Sequence, residues 1–111
     1  MQNQIYLRGR IVGNPELSQT KKGRLWVKLL LETSVVREIR PGVLESESTS
    51  VPISFFARPA EQVKDLHSGE ELMVGAYLNG TEFRNGDTVR HGVSVTADVV
   101  FIGKKGKAAD P

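Results

Sequence analysis

The sequence predicts a mostly β domain of five strands with one short helix between the third and the fourth. Three observations carry that prediction. Alternation of apolar and polar residues recurs along the chain, the period-2 mark of half-buried strands. The alternating segments are divided by turn signals at Gly13-Asn14-Pro15, Pro41-Gly42 and Asn85-Gly86-Asp87. One stretch, opened by Pro59 and followed by Gly69, reads instead as a helix with its start and stop residues.

The first strand spans residues 5–12, with Leu7 and Ile11 on one face and Tyr6, Arg8 and Arg10 on the other. A basic loop closed by Gly23 leads to a second strand at residues 24–33. There Leu25, Val27, Leu29 and Leu31 point inward, while Trp26, Lys28, Leu30 and Glu32 point outward. Residues 34–48 are charged, contain Pro41-Gly42 and follow neither period, which predicts a long exposed hairpin loop. The third strand, residues 49–56, turns Val51, Ile53 and Phe55 inward and Ser50, Pro52, Ser54 and Phe56 outward. Pro52 has no N–H for a ladder and predicts an edge or a bulge.

The helix is expected over residues 60–67. A fourth strand at residues 71–83 places Leu72, Val74, Ala76 and Leu78 inside and Met73, Tyr77, Thr81 and Phe83 outside. Asn85-Gly86 turns the chain into a fifth strand, residues 88–102, with Phe101 expected inside. This order is that of the OB-fold, a five-stranded Greek-key barrel. The domain is expected to occupy residues 1–103, followed by a short disordered basic tail at 104–111.

A chain of 111 residues is sized for one core, and its 39% hydrophobic and 25% charged residues suit a soluble globular protein. No apolar run approaches the ~18 residues of a membrane span, so no membrane partner is expected. The opening Met-Gln-Asn-Gln lacks a signal-peptide layout. With no cysteine, disulfides and thiolate metal sites are excluded, and a cytoplasmic location is expected. Charge is uneven: residues 1–40 carry eight Lys/Arg against three acids, and residues 41–111 carry seven against ten. A basic surface built by the first part would attract a polyanion, although ordinary solvated charge gives the same count.

Enzymatic readings find little support. His67 and His91 have no metal-ligand spacing around them, and no Gly-rich phosphate loop precedes the helix. The acidic pairs Glu45/Glu47 and Glu70/Glu71 lack a neighbouring His to tune them. No cofactor is expected. Outward aromatics are the better clue, because single-stranded nucleic acid is held by rings that stack bases and cations that meet phosphates. Of seven aromatics, Trp26, Phe56, Tyr77 and Phe83 fall on outward faces.

Gly9-Arg10, Asn14-Pro15-Glu16-Leu17, Gly23 and the run from Phe55-Phe56 into Ala60-Glu61-Gln62-Val63 together resemble the bacterial single-stranded DNA-binding protein family. The resemblance covers residues 3–102, and it is the resemblance that implies closure of the barrel. It implies base stacking at Phe56 and Phe83, and it matches Arg58 to a family Lys/Arg. Trp26 lies outside the family's usual stacking set, where a small residue or Val is common, but it shares the binding face with Lys28. Arg37 and Arg40 in the long loop, with Arg84 and Arg90 flanking the Asn-Gly turn, complete the candidate phosphate contacts. Plain packing is the alternative for each ring, and a solvated charge for each cation.

The chain also departs from the family. Two stacking positions fall on Ser50 and near residues 36–37, and basic positions of the fourth strand are Asn79, Thr81 and Glu82. Fewer phosphate contacts imply weaker binding and a shallower salt slope. The last nine residues hold three Lys and one Asp where the family has an acidic, Phe-ended tip, so tip-mediated recruitment of repair enzymes is not expected.

The expected function is sequence-independent binding of single-stranded DNA in replication, recombination and repair. The expected assembly is a nucleoid-associated homo-oligomer, a tetramer before a dimer, joined partly through the first strand. A restart factor of the primosomal replication protein N type, and a protein-interaction module of the same fold, remain as alternatives.

Overall fold

Alternation along the strands decides the architecture. The structure is a computed structural model and describes residues 2–103, so the tail assigned to residues 104–111 lies outside the described residues. Five strands, β1 (Ile5–Gln19), β2 (Leu25–Arg40), β3 (Val43–Phe56), β4 (Glu71–Asn85) and β5 (Thr88–Ile102), are joined with a helix α1 (Ala57–Val63) between β3 and β4. They close into a barrel in the order β1-β2-β3-β5-β4, the expected OB-fold. Closure comes from β1, which ladders with β4 over its first half and with β2 over its second, and from a short parallel pairing of β3 with β5. No helix among the described residues is long and apolar enough to cross a membrane.

The inward parity of β2 and β3 holds: Val27, Leu29, Leu31, Ile53 and Phe55 are buried. They meet Ile11, Leu72, Val74, Ala76 and Ala97 inside the barrel, and Ala60 and Val63 of α1 join them. Gly9 marks the tightest approach of β1 to β2. A Cβ there would lie 1.9 Å from the Glu32 carbonyl oxygen, so only glycine fits.

Several element expectations need correction. Residues 34–48 are not a loop: β2 and β3 continue through them as a two-stranded ribbon turning at Pro41-Gly42. Both ribbon faces are exposed apart from Thr33 at its base, so no burial imposed an alternation that could be read. β1 runs on to Gln19 past an irregularity between Val12 and Glu16. The helix begins at Ala57 and ends at Val63, earlier than expected at both ends. Pro59 is tolerated because the first turn leaves its N–H positions unpaired in any case. Gly69 does not stop α1; its N–H instead donates to the Ile11 carbonyl at 2.7 Å.

Two inward assignments also fail. Phe101 is 50% exposed. The β4–β5 ladder slips between Gly75 and Ala76, leaving Asp98 as an extra residue of β5, and every later side chain changes face. Leu78 is exposed. Pro52 agrees with its edge reading, since the β3–β5 pairing starts only at Ile53.

Candidate nucleic-acid interface

Residues directly opposite on neighbouring strands share a face. On the outer face of the barrel this produces successive rows. Trp26 stands opposite Phe56. The next row runs Lys28, Ser54, Thr96 and Tyr77 across four strands, and the row after it pairs Leu30 with Pro52. Farther along β4, Phe83 faces Arg90 of β5.

Trp26, Lys28, Phe56 and Phe83 line one open groove of about 700 Å³ that runs between the β2–β3 surface and the β4–β5 hairpin. The Trp26 and Phe56 rings stack, with centroids 5.7 Å apart and planes 18° from parallel. Such a contact contributes about 0.5–1.5 kcal/mol beyond area burial. The Lys28 ammonium lies 5.6 Å from the Trp26 ring centroid, within cation–π range. Both rings are half-buried, whereas Phe83 is 64% exposed and reaches into solvent. The Trp26 indole Nε1 is buried and finds no hydrogen-bond acceptor among the described residues. Burial of that donor costs about 1–3 kcal/mol.

The rest of the lining mixes short polar residues with the apolar Val51, Pro52, Val93 and Val95. Ser54, Asn79, Thr81, Ser94 and Thr96 border the groove, and the Asn79 amide donates to the Thr96 hydroxyl at 2.7 Å. The sequence reading put Ser54 outward, but it did not single out Ser94 or Thr96. Their place depends on the short β3–β5 pairing, which no local pattern announces.

The remaining candidates separate. Tyr77 is half-buried in the Lys28 row without lining the groove. Arg58 is exposed on α1, two residues past Phe56. Arg40 lies at the ribbon tip opposite Val43. Arg37 occupies the ribbon face that continues the core side, opposite that of Lys28, and its guanidinium donates to Glu47 at 2.8 Å. Arg84 and its neighbour Glu82, 3.9 Å away, take the face of β4 opposite Phe83. Lys28 is therefore the single charged residue lining the groove among the described residues, with Arg90 next to Phe83.

The sequence model of the Single-strand binding protein family matches residues 2–102. No individual curated protein matches the sequence. Among solved structures, the fold is similar to the Plasmodium falciparum SSB in its complex with ssDNA. That likeness has a TM-score of 0.77 at 17% identity and covers 94% of this chain and 96% of the other. It is also similar to the wild-type single-stranded DNA binding protein from Thermus aquaticus (TM-score 0.79, 21% identity) and to a deletion mutant of it (0.81, 20%). Each covers 94% of this chain, which spans about half, 51%, of either Thermus aquaticus chain.

Proposed function

We propose, for a chain that belongs to the Single-strand binding protein family, that the groove around Trp26, Phe56 and Phe83 is the face on which single-stranded DNA is held. Members of this family are non-enzymatic DNA-binding proteins of replication and repair, and single-stranded DNA binding is the function of this chain.

One observation carries the assignment of the face: three aromatic rings and a lysine line the same outer groove. Exposed ring faces stack bases of any identity, and Lys28 and Arg90 are the cations positioned to meet phosphates. Binding is then largely independent of sequence, because neither contact reads a base edge.

The same reading extends to assembly. The outer face of β1, β4 and β5 carries Tyr6, Gly75 and Val99 in one row, and Arg8, Met73 and Phe101 in the next. Tyr6 is 65% exposed, and β1 has only β4 as ladder partner over Ile5–Gly9. Such a face supports a homo-oligomer built at least partly through the first strand, a tetramer before a dimer; the proposed DNA binding, rather than this face, suggests a cytoplasmic, nucleoid-associated setting.

The test is a fluorescence-anisotropy titration of labelled oligo(dT) and of a duplex of equal length over a range of salt. Tighter binding of the single strand is expected. With about two to three phosphate contacts, the plot of log K against log salt should have a slope of about −1.4 to −2.1. Equal affinity for duplex, or a much steeper slope, would count against the groove as the principal contact.

A further inference from the structure

Beyond Glu32 on β2 and before Ile53 on β3, the two ribbon strands pair only with each other among the described residues. Their register sorts the ribbon side chains onto two faces. One face carries Val35 opposite Glu47, Arg37 opposite Glu45 and, past the irregularity after Glu38, Arg40 opposite Val43. Both arginines therefore stand in the β2 column, and both glutamates in the β3 column. All six residues are exposed, Val35 by 45% and Val43 by 37%. Arg37 reaches diagonally to Glu47 at 2.8 Å, whereas Arg40 and Glu45 have no ion-pair partner among the described residues. The face is neutral as a whole, and residues 34–48 hold two Arg against three Glu, so a phosphate backbone gains little from it.

We propose that this ribbon face is a self-complementary contact between two copies of the chain, packed ribbon on ribbon. Charge selects both the occupant and its orientation. A two-fold axis running along the ribbon lays β2 of each copy over β3 of the other, and such a contact repeats every pairing twice. The basic column of each copy then covers the acidic column of the other, with Arg37 over Glu45 at the same level of the ladder. An axis across the ribbon would set arginine over arginine and glutamate over glutamate, which charge excludes. Val35 and Val43 add apolar contact at the two ends of the patch. Six side chains make a smaller patch than the 20–30 residues a side of a standard interface. The contact is therefore weak, sensitive to salt and separate from any association through the first strand.

The test is analytical ultracentrifugation of the full chain from micromolar to millimolar concentration, at low and high salt. Wild type is compared with Arg37→Glu/Arg40→Glu, with Glu45→Arg/Glu47→Arg, and with an equimolar mixture of those two variants. The average mass of wild type should keep rising with concentration at low salt and rise less at high salt. Each variant alone presents a face of one sign and should associate at least about tenfold more weakly. Their mixture restores opposite columns and should recover the rise. If circular dichroism shows either variant unfolded, Arg40→Glu and Glu45→Arg replace them, since both leave the Arg37–Glu47 pair in place. A wild-type mass independent of concentration overturns the contact, as does a mixture that associates no better than its components. A rise that Tyr6→Glu abolishes and the reversed variants retain belongs to the first strand and also overturns it. Masses unchanged throughout, with oligo(dT) affinity lowered by the first variant and raised by the second, would give the ribbon to DNA instead.

Discussion

Phe83 projects from β4 with most of its ring in solvent, while Phe56 leans on Trp26 and shares its burial. The two rings should therefore respond differently to truncation. Phe83→Ala should weaken oligo(dT) binding by about 1–3 kcal/mol and leave the urea midpoint nearly unchanged. Phe56→Ala should lose similar affinity and also about 1 kcal/mol of stability, because the stack with Trp26 goes with it. Normal binding by either variant would reduce that ring to packing. Parity put both rings outward, because β2, β3 and β4 keep their register where they cross the groove, and the family resemblance then singled the two out. Phe101 was misread for a physical reason: one extra residue at Asp98 inverts everything after it, and nothing local in the sequence marks the bulge. The cations were less legible than the rings. Arg37 and Arg84 turn to the faces opposite Lys28 and Phe83, and that depends on register through segments where both faces are wet.

Among the elements, β1 carries the clearest structural constraint. Gly9 is where its backbone presses on Glu32 of β2, and the clash meets a carbonyl oxygen rather than a flexible side chain. Gly9→Ala should cost about 1–3 kcal/mol, toward the upper end, because a backbone must move. An unchanged denaturation midpoint would show that the β1–β2 approach is looser than this. The Gly9-Arg10 pair noted in the sequence thus has a packing reason at its first residue. The β2–β3 ribbon shows the opposite case. Its turn at Pro41-Gly42 was readable, with Gly42 at φ 79° as a turn glycine requires, but its pairing was not. Exposed apolar and charged residues follow each other there without a period, since neither face is held by a core.

At the scale of the whole molecule, the barrel presents two separate surfaces. The groove on β2, β3 and the β4–β5 hairpin combines aromatic rings with short polar and aliphatic side chains, whereas the face of β1, β4 and β5 exposes Tyr6, Val99 and Phe101 beside Arg8. On the proposed reading the second face serves self-association, and light scattering at micromolar protein should give a multiple of the 12.2 kDa chain. Tyr6→Glu should lower that mass, since charge at the centre of an apolar contact is unfavourable. A monomeric wild type would refute this use of the face. The strand order was readable from alternation and turns alone, while closure depended on long-range pairings of β1 with β4 and of β3 with β5 that only the family resemblance anticipated. The groove itself can be tested in one cuvette. Trp26 is the only tryptophan, so its emission reports that site alone. During titration with labelled oligo(dT) at low salt, the oligonucleotide's anisotropy should rise while Trp26 emission changes in step, both saturating at the same ratio. A rise in anisotropy with Trp26 emission constant throughout would put the DNA on another surface and contradict the assignment of the groove.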